Sequence, residues 1–258
     1  MADGKALAHG YRALQHWNQW LTQHFLGNHL LHEEQHLLAH LLHRHFGKHA
    51  LLIGVPRQHT LLNATTAPYH SLASPLVNHH KENKFNQIES DLHELPLLTG
   101  SVDLVILPHM LEFIDNPRQL LSEACRIVKP EGLIAIIGFN PYSMWGLKKI
   151  MVKHKSVPWS ANSINANQIK NWLHLADFAM EKHAFAFFRP PVNHPTTFQR
   201  LHFFERIGKK CFPKLGGIYI ILARAKVIPL TPIKMKWKQH LSNIPISTRI
   251  SSHIARRE

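Results

Sequence analysis

Residues 91–140 read DLHELPLLTGSVDLVILPHMLEFIDNPRQLLSEACRIVKPEGLIAIIGFN, and the fold can be worked out from them. Within this stretch, Val102 to Leu107 and Leu133 to Phe139 are short and almost unbroken apolar runs. Such runs are too short to cross a membrane and are typical of strands buried on both faces of a parallel sheet. The stretch therefore predicts two buried strands.

The segment between these two strands predicts one helix. Asn116 can cap its beginning, and Pro117 suits its first turn. Apolar residues recur at helical spacing and form one face: Leu120, Leu121, Ala124 and Val128. The turn Lys129 to Gly132 then ends the helix. A strand, a helix and a strand in this order predict a right-handed βαβ unit.

The order of short motifs in this stretch resembles the class I S-adenosylmethionine-dependent methyltransferases, and in particular the type 11 methyltransferase family. The motifs are an Asp-x-x-x-Leu-Pro segment, a Gly-Ser-hydrophobic-Asp segment before the fourth strand, a Leu-Leu-x-Glu-x-x-Arg helix and a Lys-Pro-Gly-Gly turn. They correspond to Asp91 to Pro96, Gly100 to Asp103, Leu120 to Arg126 and Lys129 to Gly132. The resemblance covers roughly residues 47–225 and is weaker outside the central part. It implies an α/β fold: a Rossmann-like sheet with helices on both faces and an antiparallel edge strand.

The resemblance also implies that S-adenosylmethionine is the cofactor, but the chain departs from the family in the loop that cradles it. The family has an acidic residue and a Gly-x-Gly-x-Gly loop after the first strand, predicted here over His49 to Val55. Only Gly54 of that pattern is kept: Leu52 stands at the acidic position, and Pro56 and Gln58 replace the other two glycines. Glycine allows a ligand to approach the backbone closely, and proline does not.

A second departure concerns the cofactor's ribose. The family's acidic residue, two positions before Ser-Pro, is replaced by Leu72. Asp91 is kept at the position of the residue that accepts from the adenine amino group. The cofactor-binding residues that we expect are Gly54, Val55, Leu72, Asp91, Leu92 and Pro108.

The chemistry is expected at the carboxyl ends of the fourth and fifth strands, because open α/β sheets bind their ligands there. His109 follows the fourth strand, and an ordinary imidazole can accept a proton near neutral pH. Asn140 and Tyr142 follow the fifth strand. These three residues are the predicted catalytic residues. The longer segment Arg189 to Pro213 is interpreted either as a lid or as a surface loop.

Residues 6–46 predict two amphipathic helices that are separated near Gly27. In the second, leucines gather on one side and histidines on the other. The pattern His32-Glu33-Glu34-Gln35-His36 has the spacing of a zinc metalloprotease motif. Because the histidine face points away from the leucines, we expect a solvated helix face and no metal, and metalloprotease chemistry is a minor alternative.

The composition is that of one globular domain with extensions. The chain has 258 residues, of which 45% are hydrophobic, and a net charge of +14 with 23 histidines. The charge allows a nucleic-acid partner, but no recognition motif with aromatic platforms favours one. Cys125 and Cys211 lie far apart and have no metal or redox spacing. With no signal peptide or membrane span in the sequence, the protein is expected to be cytoplasmic.

The sequence divides into three regions: a helical extension over 1–46, a methyltransferase-like domain over 47–225, and a basic tail over 226–258. The tail carries seven Lys or Arg against one Glu and is predicted to be flexible. The predicted function is S-adenosylmethionine-dependent methylation of a small molecule. The alternative is a methyltransferase-like scaffold or binding protein without strong cofactor binding, which the altered glycine loop favours.

Overall fold

Seven strands form one sheet in this computed structural model, which describes residues 2–76, 85–152 and 157–227. In chain order the strands are β1 His49–Ile53, β2 Tyr69–Ser74, β3 Asn86–Glu89, β4 Val102–Pro108, β5 Val128–Phe139, β6 Phe178–Ala186 and β7 Ile218–Ala225. Their order across the sheet is β3-β2-β1-β4-β5-β7-β6. The first five are parallel, and β7 is antiparallel to both of its neighbours. The predicted Rossmann-like sheet with an antiparallel edge is confirmed.

Helices pack on the sheet, and two of them precede its first strand. They are α1 Ala2–Gln23, α2 Phe25–Leu42, α3 Met110–Phe113, α4 Pro117–Ile127, α5 Met144–Met151, α6 Ala166–Leu175, α7 Pro195–Arg200 and α8 Phe203–Cys211, with a 3-10 helix over Pro56–Ala64. No helix in these described ranges is long and apolar enough to span a bilayer.

The predicted βαβ unit is present as α4 between β4 and β5. The Asn116 Oδ1 atom accepts from the Gln119 backbone N–H at 3.3 Å, so Asn116 caps the helix. Leu120, Leu121 and Ala124 are buried against the sheet. Val128 differs from the prediction: the helix ends at Ile127, and Val128 is the first residue of β5, where it pairs with Val102.

Gly27 does not separate the two N-terminal helices, contrary to the prediction. The break is at His24, and Gly27 lies in the first turn of α2. A side chain at this position would lie 2.6 Å from the Trp20 carbonyl oxygen and 2.8 Å from the Leu21 Cα atom, both on α1. The glycine therefore allows the backbones of α1 and α2 to pack closely.

The segment predicted as a lid or a surface loop contains α7 and α8. Phe198 on α7 is buried against Phe187, at a centroid distance of 5.9 Å. The predicted basic tail lies outside the described residues from Ile228 onward.

The close packing at Gly27 gives a test of how α1 and α2 are joined. In an unconstrained helix, Ala is about 1 kcal/mol better than Gly. Here we expect Gly27→Ala to destabilise the protein by roughly 1–3 kcal/mol, because a Cβ atom would push against backbone. Thermal unfolding of the variant, with His36→Ala on the exposed face of α2 as the control, measures the effect. A rise in the melting temperature of Gly27→Ala would show that the helices are not in close contact.

Candidate functional site

A pocket of about 310 Å³ opens at the carboxyl ends of β2, β3 and β4. Asp91 and Leu92, both predicted cofactor residues, line it. The other lining residues come from four segments: Tyr11 and Leu14 on α1, Pro75 after β2, Glu89, Ser90 and His93 around β3, and Ile114 and Asp115 after α3. The pocket is thus a cleft between the sheet edge and the first helix, of the size that small ligands use.

Asp91 is held in a defined orientation at this pocket. Its Oδ1 atom accepts from the His93 backbone N–H at 2.9 Å and lies 3.1 Å from the His93 Nδ1 atom. The backbone N–H of His93 is the main reason why the pKa of Asp91 lies below its usual range. The carboxylate is therefore ionised at neutral pH and can accept a hydrogen bond from a ligand.

The loop after β1 is occupied by one of its own side chains. The Gln58 Oε1 atom accepts from the Val55 backbone N–H at 3.0 Å, and its Nε2 atom donates to the Pro108 carbonyl oxygen at 3.1 Å. Gln58 is fully buried, and a Cβ atom on Gly54 would lie 2.7 Å from its Oε1 atom. Gly54, Val55 and Pro108, three of the residues expected to bind the cofactor, therefore lie close together, and each of them is next to the Gln58 side chain.

A charged cluster fills the carboxyl ends of β4 and β5. The His109 Nε2 atom lies 2.7 Å from Glu34 Oε1, and its Nδ1 atom lies 2.9 Å from Glu112 Oε2. Glu112 Oε1 also accepts from the Phe139 backbone N–H at 2.7 Å. All three charged side chains are buried, and Trp17, fully buried on α1, packs on the His109 ring with centroids 5.4 Å apart.

The two carboxylates keep His109 protonated. Burial alone would lower its pKa, but the charge of Glu34 and the hydrogen bonds that His109 donates to both glutamates outweigh burial and raise the pKa to about 9. Burial raises the pKa of Glu112. The Glu34 Oε2 atom has no hydrogen-bond partner among the described residues. The cluster is therefore the His109 imidazolium between two glutamates, Glu34 on α2 and Glu112 on α3.

This geometry does not suit the role of proton acceptor that the sequence suggested for His109. Both ring nitrogens already face carboxylates, and the side chain has no exposed surface. An imidazolium at neutral pH has no free lone pair to take a proton. The backbone of His109 is also in the left-handed region, with φ 59°, where residues other than glycine are uncommon.

Asn140 is likewise occupied by the protein itself. Its Nδ2 atom donates to the carbonyl oxygens of Lys214 and Gly216, both at 2.9 Å, and its Oδ1 atom accepts from the Tyr142 backbone N–H at 3.1 Å. The side chain ties the end of β5 to the start of β7 and is not free for a substrate. Tyr142 is exposed, and its hydroxyl accepts from Asn165 Nδ2 at 3.1 Å.

Of the other predicted residues, Leu72 is buried in the core and is not part of the pocket lining. His32 and His36 are exposed on α2, while Glu34 from the same motif points inward. Over the residues that the structure describes, no three His, Cys, Asp or Glu side chains come together as a metal site.

Four features of the site were not predicted from the sequence: Glu34, Glu112, Trp17 and the inward position of Gln58. One signal was present, since Glu34 lies four residues from both Leu30 and Leu38, on the apolar face of α2. An acid on a leucine stripe is buried with the stripe and then needs a partner.

Comparison with known proteins shows which family and which fold this chain is similar to. Residues 60–136 match the model of a methyltransferase domain family. A methyltransferase from Thermotoga maritima has a TM-score of 0.62 at 17% identity, covering 83% of this chain and 97% of that one. One from Archaeoglobus fulgidus has a TM-score of 0.51 at 20% identity, covering 74% and 94%. Both structures are S-adenosylmethionine-dependent methyltransferases, and at these identities they show the fold.

The fold is therefore that of the class I methyltransferases, and residues 60–136 are similar to the methyltransferase domain family whose motifs the sequence contains. An Escherichia coli relative, the uncharacterized protein YafS, is 33% identical over 162 residues. The match covers 61% of this chain and 62% of that protein's length.

S-adenosylmethionine, the cofactor that this class implies, fits the site only in part. The pocket at Asp91 has room and polar groups for the adenosyl end. The loop after β1 does not suit the amino-acid end, because Gln58 takes the Val55 N–H and Pro56 offers none. Trp17 packs on His109, which directly follows the Pro108 carbonyl that Gln58 contacts.

The buried cluster gives a prediction about stability and pH. The folded pKa of His109, about 9, lies above its ordinary value of 6.5, so its stabilisation is fully present below pH 6.5 and is lost between pH 6.5 and 9. The raised pKa of Glu112 acts in the same direction. We therefore expect the melting temperature of the wild type to fall as the pH rises from 6.5 to 9.

Glu34→Gln should lower the free energy of unfolding at neutral pH by roughly 1.5–3 kcal/mol, because a hydrogen bond between charged groups loses one charge. Its melting temperature should also depend less on pH over the same range. Glu33→Gln is the matched control, since Glu33 is partly exposed and lies 3.6 Å from His29 alone. Equal behaviour of the two variants would mean that Glu34 and His109 are not an ion pair.

Proposed function

We propose that the protein is an S-adenosylmethionine-dependent methyltransferase for a small-molecule acceptor, and that the pocket at Asp91 and Leu92 holds the adenosyl end of the cofactor. The observation that carries the proposal is the position of this pocket. It lies at the carboxyl ends of parallel strands, where open α/β sheets bind ligands, and it contains an oriented, ionised carboxylate.

The residues of the pocket have distinct tasks in this proposal. Asp91 accepts a hydrogen bond from the adenine amino group, and the backbone of Leu92 lies beside the ring. Leu14 and Tyr11 on α1 cover the ligand and exclude water from one side. The cofactor supplies an already activated methyl group, so the protein's contribution is alignment and exclusion of water.

We expect the protein to bind S-adenosylmethionine weakly, because two hydrogen-bonding groups are not available to the cofactor. Leu72 offers no carboxylate to the ribose, and Gln58 already uses the loop's N–H donor. Each charge-assisted hydrogen bond that is missing is worth roughly 1.5–3 kcal/mol. Room for the amino-acid end also requires α1 to move, because Trp17 is packed against His109, Phe113 and Phe139.

The acceptor is proposed to approach near Tyr142, the one predicted catalytic residue with an exposed side chain. Asn140 positions the Tyr142 backbone and is a positioning residue. The nearby cavity between Trp145, Trp159 and Lys149 has a volume of only about 20 Å³, too small for an acceptor.

A second candidate function is supported by the filled loop. Because Gln58 and Trp17 occupy the space beyond the pocket, the chain could bind an adenine nucleoside without transferring a methyl group. The two candidates differ in one measurable respect. A methyltransferase should bind S-adenosylmethionine more tightly than adenosine, whereas a nucleoside-binding protein should bind the two equally.

Calorimetric titration of the purified protein with S-adenosylmethionine, S-adenosylhomocysteine and adenosine tests the proposal. Asp91→Ala should weaken all three by about tenfold or more, because a hydrogen bond to a charged acceptor is lost. Glu94→Ala, an exposed acid outside the pocket lining, should change none of them. Absence of binding at millimolar cofactor would overturn the proposed function.

Gln58→Gly tests whether the Gln58 side chain is what weakens binding of the cofactor's amino-acid end. The change frees the Val55 N–H and the space in front of Gly54. If the amino-acid end of the cofactor binds there, affinity for S-adenosylmethionine should rise by about tenfold while affinity for adenosine stays the same. Equal affinities for S-adenosylmethionine before and after the change would mean that the amino-acid end does not bind at the loop after β1. Thermal unfolding of the variant controls for loss of the Gln58 hydrogen bonds.

A further inference from the structure

Helix α8 packs on the protein by one side and turns its opposite side to solvent. Gly208 faces the body, where a Cβ atom would lie 2.5 Å from the ring of Phe188. Glu205 is buried on the same side, and one of its oxygens accepts from the Phe188 backbone N–H at 3.1 Å. These two contacts fix the rotation of the helix about its axis.

The outward side of α8 is apolar. Phe203 is 50% exposed and Ile207 is 48% exposed, and their spacing of four residues places them on one face. Phe212 and Leu215, which follow the helix, are exposed as well. Phe203 and Ile207 are one helical turn apart, and contiguous apolar patches on the surface of a monomer mark sites of interaction.

Positive charges flank this apolar face. Residues 200–214 contain five Lys or Arg and one acid, Glu205. Glu205 is buried, whereas the five cations are exposed: Arg200, Arg206, Lys209, Lys210 and Lys214. A short helix with an outward apolar stripe and basic borders has the chemistry of helices that lie in the surface of a membrane.

We propose that α8 and the following residues to Leu215 form a docking surface for an anionic phospholipid bilayer. We call this surface the α8 face. Phe203, Ile207, Phe212 and Leu215 enter the boundary between head groups and acyl chains, and the cations contact lipid phosphates. The proposal is independent of the cofactor and of the methyltransferase activity.

Charge favours lipid over the other occupants of such a face. A second copy would bring the same basic borders into contact with themselves, and the chain's own residues 226–258 are also basic. Nucleic acid would suit the cations and the rings of Phe203 and Phe212, but Ile207 and Leu215 offer no ring on which a base stacks. An anionic bilayer satisfies both the cations and the apolar side chains.

Co-sedimentation with vesicles tests the proposal on the full chain. We expect binding to vesicles of phosphatidylcholine with phosphatidylglycerol, weaker binding in high salt, and little binding to phosphatidylcholine alone. Phe203→Ser with Ile207→Ser should weaken binding at least about tenfold, because two large apolar side chains no longer leave water. Lys209→Gln with Lys210→Gln should weaken it by about tenfold.

Matched controls lie elsewhere on the surface. Leu98→Ser with Leu175→Ser removes two side chains that are 81% and 82% exposed. Arg44→Gln with Lys48→Gln removes two exposed cations that precede the amino end of β1. Both controls should bind like the wild type. If the α8 variants bind vesicles as the wild type does, or if the controls lose binding equally, the proposal is wrong.

A fluorophore on Cys211 reports directly on the α8 face. Cys211 is exposed, whereas burial raises the pKa of the Cys125 thiol to about 12, so labelling near neutral pH selects Cys211. An environment-sensitive dye there should shift to shorter wavelength when anionic vesicles are added. If the protein sediments with vesicles but the dye shows no shift, another surface contacts the bilayer. If the α8 variants change their oligomeric state but still bind vesicles, the α8 face is a dimer interface instead. Either result would overturn the proposal.

Discussion

The ion pair between Glu34 and His109 connects the N-terminal helices to the carboxyl end of β4. Both side chains are fully buried, and their atoms are 2.7 Å apart. A buried charge without a partner costs several kcal/mol, so Glu34 can be buried only if α2 docks where His109 stands. The position of α2 then fixes α1, since Gly27 holds the two helices in close contact. Tyr11 and Leu14 come to the pocket as a consequence.

Much of the fold is predictable from the sequence because its signals are local. Apolar runs predict β4 and β5, Asn116 and Pro117 predict the beginning of α4, and the leucine stripe predicts the buried face of α2. The errors are also local. The prediction of a break at Gly27 is wrong, because a glycine in a helix can equally allow close packing, and periodicity alone does not distinguish these two uses.

The candidate site is less predictable because its contacts join residues far apart in the chain. Asp91 and Leu92 can be placed by family motifs, and both line the pocket. The sequence predicts that His109 follows the fourth strand, and the structure has it there. It does not reveal that Glu34 contacts the imidazole, because Glu34 is 75 positions away in the chain. The charge state of an imidazole depends on such neighbours, and a sequence pattern does not contain them.

The loop after β1 has Pro56 and Gln58 where the family pattern has glycines, and its backbone groups are satisfied in a different way. In a glycine loop that binds a ligand, the ligand satisfies backbone donors that would otherwise be exposed or unpaired. Here the Gln58 carboxamide satisfies the Val55 N–H and reaches Pro108 on the neighbouring strand, while Pro56 has no N–H to satisfy. The loop is therefore complete without a ligand. The pocket at Asp91 differs in this respect, because its carboxylate and lining remain open to solvent. The two places predicted to hold the cofactor therefore differ: the loop after β1 is closed by the Gln58 side chain, and the pocket at Asp91 has polar groups that a ligand can use.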